Sequence, residues 1–335
     1  MTVQVELDEE VEFATSGHSG ASVRWLRTRA QLEMEVEVVT EALGNPIEQV
    51  VNFAPPVHLF GHLYGYILPE LRAITSIDLW HDPLARPSLD PSKRTLFVCL
   101  PSSWMVLRSM VEEIAALPGA VALHGTGPTT ATTVRVVADL HRRSQGRVRA
   151  MEIFGATETG AVALREIAHT SAAHPWTLLP DVDLFEKCGN EQLLKVRSPR
   201  IARRDDMAVS PEWWQLNDVV RIVGDRDFEF VGRTSRLIKV NGVQCDLAWV
   251  EDAVREGMPG VDVVCIAVRD SVRGEHYELF YTDPTGTVST ENVWLRLKGL
   301  PIPRAVHRVD QIPRTITGKA KVDRLYAATS LVPPE

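Results

Sequence analysis

Short apolar runs alternate with longer amphipathic stretches through the first half of the chain. The runs are Gln49–Ala54, Thr95–Leu100, Ala120–His124 and Arg149–Phe154. The stretches before and between them are Trp25–Leu43, Gly61–Ile74, Trp104–Ala116 and Thr129–Gln145. Buried strands feeding helices in that order predict βα units around a mostly parallel sheet. After Gly160 the texture changes to short alternating runs, Val162–Arg165, Gln192–Arg197, Val219–Val223 and Phe228–Val231, which predict a small antiparallel sheet or barrel. From Gly232 a strand leads to a helix at Leu247–Glu256, strands at Val261–Val268 and His276–Tyr281, and a helix at Asn292–Lys298. The expected class is α/β: a mostly parallel sheet with helices plus a small antiparallel β subdomain, then a small α+β domain. The expected boundaries are 1–231, with the α/β part ending near Gly160, and 232–335.

A chain of 335 residues has room for about two such domains. Its 36 basic and 44 acidic residues leave a net charge of −8. Without a long basic run, that balance argues against nucleic acid as a partner. The compact cluster His141, Arg142 and Arg143 reads as a solvated helix face. Leu59–Leu68 is too short, and too interrupted by His62, to span a bilayer. Met1–Glu12 is acidic, unlike a secretory signal. Cys99, Cys188, Cys245 and Cys265 lack metal-ligand spacing, so reduced thiols in a cytoplasmic, non-membrane protein are expected.

Two segments suggest phosphate chemistry. Thr15-Ser16-Gly17-His18-Ser19-Gly20 follows a short apolar strand and is expected to precede a helix. Hydroxyls and backbone N–H groups there can wrap phosphate oxygens. No Gly-Lys-Ser/Thr follows, so it is not a Walker loop. Phe154-Gly155-Ala156-Thr157-Glu158-Thr159-Gly160 ends a predicted strand, where α/β proteins favour ligands. A hydroxyl beside a carboxylate can meet a phosphate and hold Mg²⁺. Taken singly, each segment is more often an ordinary turn.

Together they resemble the acyl-adenylate-forming (AMP-binding) ligases, whose aromatic-Gly-x-Thr-Glu motif lies downstream of a Thr-Ser-Gly-x-Ser/Thr-Gly loop. Further segments resemble that family in order. Pro55-Pro56-Val57-His58-Leu59-Phe60-Gly61 is similar to its acyl-pocket stretch, and Gly125-Thr126-Gly127-Pro128 to its adenine-flanking turn. Asn217-Asp218 is similar to its ribose-binding pair, and Gly232–Gly242 to its interdomain hinge, with Val250-Glu251 beyond it. Pro313-Arg314-Thr315-Ile316-Thr317-Gly318-Lys319 is similar to its C-terminal lysine motif.

The resemblance implies attack of a carboxylate on the α-phosphate of ATP, release of pyrophosphate, and transfer of the acyl group to a thiol. It implies Lys319, Thr157 and Glu158 as catalytic residues, with Glu158 on Mg²⁺. Nucleotide contacts would come from Thr15, Ser16, Gly17, Ser19, Gly20, Gly125, Thr126, Gly127, Phe154, Gly155, Ala156, Asp218 and Arg233. His58, Gly61 and His62 would meet the acid. Ser235 would be the hinge, and Gly242 would border the acceptor channel once the C-terminal domain swings.

Departures are visible. Ser22 and Val23 stand where the family usually has Pro-Lys, with Arg24 one place later. Ser235 replaces the usual Asp or Lys, and Asn217 the usual Gly. Only Met1–Ala14 precede a loop that the family places after a further subdomain, so a homodimer or a complex with another chain is expected. The stretch Pro55–Gly61 offers no Asp for an α-amino group, and His58, Phe60, His62 and Tyr64 suit an aryl acid. The expected activity is an aryl-acid–thiol ligase of secondary metabolism that loads a carrier-protein phosphopantetheine or coenzyme A. The alternatives are a non-catalytic adenylate-binding relative acting through a partner, or an adenylate-dependent amide synthetase.

Overall fold

The computed structural model describes residues 10–16, 22–44, 46–127, 129–168, 174–185, 191–233, 236–258, 260–270, 274–283, 286, 288–313 and 320–328. The chain divides into two compact units, one taking in Ser22–Thr234 and the other Ser235–Glu335.

In the first unit, the described residues build an eleven-stranded mixed sheet. Its parallel part runs in the order Thr75–Asp78, Gln49–Asn52, Thr95–Cys99, Ala120–His124, Val148–Ala156. The run at Ala120–His124 is apolar throughout because both faces are covered. Val121 and Leu123 pack with the helix Arg29–Leu43, whereas Ala120 and Ala122 pack with the helix Ala131–Ser144. The antiparallel strands expected after Gly160 are present and extend this same sheet. Gly160–Glu166 pairs with Val148–Ala156, and the order continues through Trp176–Leu178, Asp227–Arg233, Trp214–Ile222, Glu191–Arg197 and Asp183–Leu184.

The stretch Trp25–Leu43 is not one helix. Ser22–Thr28 is a strand beside Glu10–Ser16 and Arg203–Arg204, and the helix begins at Arg29. Burial explains the difference, since Trp25 and Arg27 are buried while Arg24 between them and the chain's start is exposed, a period of two. Thr28 then caps the helix. Its hydroxyl accepts from the Gln31 amide at 3.2 Å, and the Gln31 side chain accepts from the Thr28 amide at 3.1 Å. In sequence, a strand and not a helix therefore comes after Gly20, and the helix starts only at Arg29.

The second unit is α+β, as expected. Val263–Asp270 pairs antiparallel with Gly274–Tyr281, which pairs parallel with Ala305–Arg308. Helices Leu247–Gly257 and Thr290–Arg296 cover one face through Val250, Val254 and Val293, and Val322–Ala328 covers the other through Leu325 and Tyr326. Cys99, Cys245 and Cys265 are buried free thiols, and burial pushes Cys99 and Cys245 up to about 12. Cys188 lies outside the described residues. No helix among the described residues is long and apolar enough to cross a membrane.

Candidate functional site

The chain leaves Gln49–Asn52 for Thr75–Asp78 on one side and returns to Thr95–Cys99 on the other. The strand order reverses there, and crevices in such sheets open outside the carboxyl ends of the strands. Three of the segments singled out in the sequence leave those ends. Phe53–His62 follows Asn52, Gly125–Gly127 follows His124, and Thr157–Thr159 follows Ala156.

Close packing joins the first two. A Cβ on Gly125 would lie 2.9 Å from the Phe60 ring and 3.1 Å from Ile153 Cγ2, so only glycine lets that ring close on the turn. Phe60 also meets Tyr64 edge-on at 5.4 Å. The next residue of the turn, Thr126, has φ 68°, uncommon for a β-branched side chain. The hydroxyls of Thr126 and Thr129 are buried and have no hydrogen-bond partner among the described residues. Buried donors of that kind call for a ligand, an ion or water.

His58 is extended (φ −99°, ψ 141°) and holds the N-cap position of the turn Leu59–His62, its carbonyl accepting from the His62 amide at 2.9 Å. A π-helical segment at Leu63–Ile67 follows and precedes Leu68–Arg72. Tyr64 is wholly buried in the core instead of lining a pocket. His62 lies edge-on to Phe13 at 5.4 Å and stacks with Tyr66 at 6.4 Å.

Burial, the largest influence, holds the His62 imidazole below its usual range; a Pro56 backbone hydrogen bond opposes this, Arg29 adds to it and Glu70 opposes it. The unfolded chain therefore takes up this proton first as pH falls. The contribution of neutral His62 is full above the unfolded value, roughly 6.5, and is lost as pH drops through it toward the folded value. His62→Gln is expected to flatten that part of the stability profile. Urea midpoints at pH 7.5 and 5.5 check this, and an unaltered difference between them would refute it.

Beneath the turn Thr157–Thr159 lies a charged cluster that sequence reading did not find. Arg27 and Arg200 are 0% exposed and Glu35 is 2% exposed. Glu35 Oε2 lies 3.2 Å from Arg27 Nη1 and 3.2 Å from Arg200 Nη1. Arg200 also donates to Asp181 at 2.6 and 2.9 Å. Burial works against the Arg200 charge, but the Asp181 hydrogen bonds and Glu35 hold its guanidinium above the usual value. Burial pulls Arg27 down, Glu35 opposes that, Arg200 adds to it, and the Glu158 charge opposes it. The Glu158 carboxylate therefore acts on Arg27.

Asp218 and Arg233 are direct cross-strand partners, and the neighbouring Phe230 meets the Phe154 ring at 6.2 Å. Phe154 packs more closely on Trp176 and Phe228, at 5.2 and 5.6 Å. A Cβ on Gly61 would overlap the carbonyls of Ala54 and Pro55, and one on Gly155 the carbonyl of Gly160. Ala156 ends its strand opposite Gly160. Arg24 donates to Asp205 at 2.8 Å and to Glu12 at 3.4 Å, so carboxylates already engage the first cation after Gly20 in the sequence. Asn241 and Gly242, with φ 50° and 83°, form the two-residue turn between Leu237–Val240 and Val243–Asp246. Gly17, Ser19, Gly20, Ser235 and Lys319 lie outside the described residues, as do the side chains of Thr15, Ser16 and Arg233.

The chain is similar in sequence to 4-coumarate–CoA ligases. It is 28% identical to that of Halorhodospira halophila over 153 residues, 46% of this chain and 37% of the relative. It is 25% identical to that of Cereibacter sphaeroides over 244 residues, 72% of this chain and 52% of the relative. The matches thus span about a third to a half of those relatives. No family model matches the chain. In fold it is similar to the amide bond synthetase McbA from Marinactinospora thermotolerans, with TM-score 0.73 and 19% identity over 96% of this chain and 69% of that one. In sequence and in fold the chain is thus similar to acyl-adenylate-forming ligases.

Proposed function

We propose that the protein activates a carboxylic acid with ATP and passes the acyl group to a thiol. The acid oxygen bonds to the α-phosphorus, the bond to the β-phosphate breaks, and pyrophosphate leaves with its electron pair. The thiol sulfur then bonds to the acyl carbon, AMP leaves, and the thiol proton passes to solvent. What supports the reading is that Phe60 closes on the Gly125–Gly127 turn, and that this turn and the Thr157–Glu158 turn leave the carboxyl ends of neighbouring strands in one sheet. The buried hydroxyls of Thr126 and Thr129 suit a polar ligand edge. Asp218 and Arg233 would hold the ribose, and the hydroxyl of Thr157 a phosphate. Lys319 would steady the charge that builds during adenylation, and the second unit, moving about Ser235, would bring Gly242 up for thiol transfer.

Among the described residues, no three His, Cys, Asp or Glu side chains cluster to hold a metal unaided. One carboxylate, Glu158, suits Mg²⁺, which binds through one or two carboxylates and substrate phosphates. Bound there, the ion would neutralise phosphate charge.

We read the acid as aryl, because Phe60 packed on Gly125 offers a flat apolar wall with His58 at the start of its helix. The acceptor is read as coenzyme A or a carrier phosphopantetheine. An acid panel scored by pyrophosphate release, with each acceptor, tests both. Hydroxy- or amino-substituted aryl acids should respond most strongly, and His58→Ala should raise KM for the acid more than for ATP. A medium-chain fatty acid responding most strongly would remove the aryl reading. A second reading, a non-catalytic adenylate binder, draws on the engagement of Arg24 by Asp205 and Glu12. ATP binding without pyrophosphate release from any acid would favour it.

A further inference from the structure

Two fully buried arginines around one buried glutamate are an expensive arrangement, and replacing such groups by apolar residues is often neutral for stability. What the cluster does is written in its remaining bonds, which go to the backbone on both sides of one turn. Arg27 Nη2 donates to the Thr157 carbonyl at 3.1 Å. Glu35 Oε1 accepts from the Ala161 amide at 2.8 Å, and Arg200 Nη2 donates to the Ala161 carbonyl at 2.9 Å. Glu35 also fills the space a side chain on Gly160 would need. The turn between these anchors carries Glu158, whose carboxylate acts on Arg27. Tyr64, from the π-helical segment Leu63–Ile67, brings a buried hydroxyl with no hydrogen-bond partner among the described residues to the same charges.

We infer that Arg27, Glu35 and Arg200 are positioning residues that fix the Thr157–Gly160 turn, and with it Glu158, for the nucleotide phosphates; this rests on the ATP-dependent reading above. None of the three touches the reacting atoms. They act by removing the freedom of a turn whose carboxylate must meet its ligand within a fraction of an ångström.

The test uses the full chain and the variant Arg27→Met/Glu35→Met, which leaves Arg200 paired with Asp181. Amide exchange over Thr157–Val162 is expected to quicken by roughly tenfold or more, with Ala120–His124 unchanged. In pyrophosphate exchange, kcat/KM for MgATP is expected to fall by about 10²-fold. KM for the acid should move little. If the double variant does not fold, Arg27→Lys serves instead: it keeps the charge, loses the fork, and should show the same two changes more weakly. Unchanged exchange across the turn overturns the inference, as does a quickened turn with unchanged use of MgATP. Failure of the ATP-dependent reading shows separately, as absence of pyrophosphate release from the unaltered chain. In that event the amide-exchange comparison still decides whether these residues hold the turn.

Discussion

Lys319→Ala is expected to slow adenylate formation by about 10²–10³-fold while a preformed acyl-adenylate is still converted to thioester at close to the original rate. The expectation rests on the motif Pro313–Lys319 and on the proposed reaction. When a carboxylate meets the α-phosphate, two anions are forced together, and a fixed ammonium helps most at the moment that charge builds. Thiol attack on the finished adenylate has no such demand. Either side of the motif, the backbone is anchored: the Lys321 amide donates to the Pro313 carbonyl at 2.7 Å, and Ile312 and Leu325 are buried in one core cluster. The measurement is a pair of rates, pyrophosphate exchange and thioester formation from synthetic adenylate. Equal loss in both would give the lysine a different role.

The sheet was legible because its strands are covered on both faces, so Thr95–Cys99 and Ala120–His124 read as unbroken apolar runs. The strand at Ser22–Thr28 was not, because its period of two lies beside a long helical pattern and was absorbed into it. A signal was available in Thr28-Arg29-Ala30-Gln31, whose first and last residues form the capping box. The π-helical segment at Leu63–Ile67 has no such mark. It widens the turn by one residue, and Tyr64 within it is wholly buried. Arg27, Glu35 and Arg200 meet across 173 positions of chain, a contact no local pattern contains. Glu35 nonetheless left a trace, since it occupies the buried face of its helix with Leu32, Val36 and Val39. A carboxylate at such a position needs a buried partner.

The same carboxylate makes Gly160→Ala a strongly destabilising substitution. Gly160 has φ +69°, where an alanine costs about 1–2 kcal/mol for backbone reasons alone. Its new methyl group would also overlap Glu35 Oε2 and lie 2.8 Å from Cδ and 3.0 Å from Oε1 of the same carboxyl. That group cannot swing aside freely, because Arg27, Arg200 and the Ala161 amide hold it. Crowding a packed interior in this way adds about 1–3 kcal/mol. The sum, about 2–5 kcal/mol, should appear as a lower urea midpoint without a change in slope. The two contributions separate in a double-mutant cycle with Glu35→Ala. Removing the carboxylate abolishes the collision but leaves the strained φ, so the double variant should be more stable than the two single effects summed, by the crowding share. Strict additivity would mean that the turn relaxes away from Glu35 and that the carboxylate does not hold it in place.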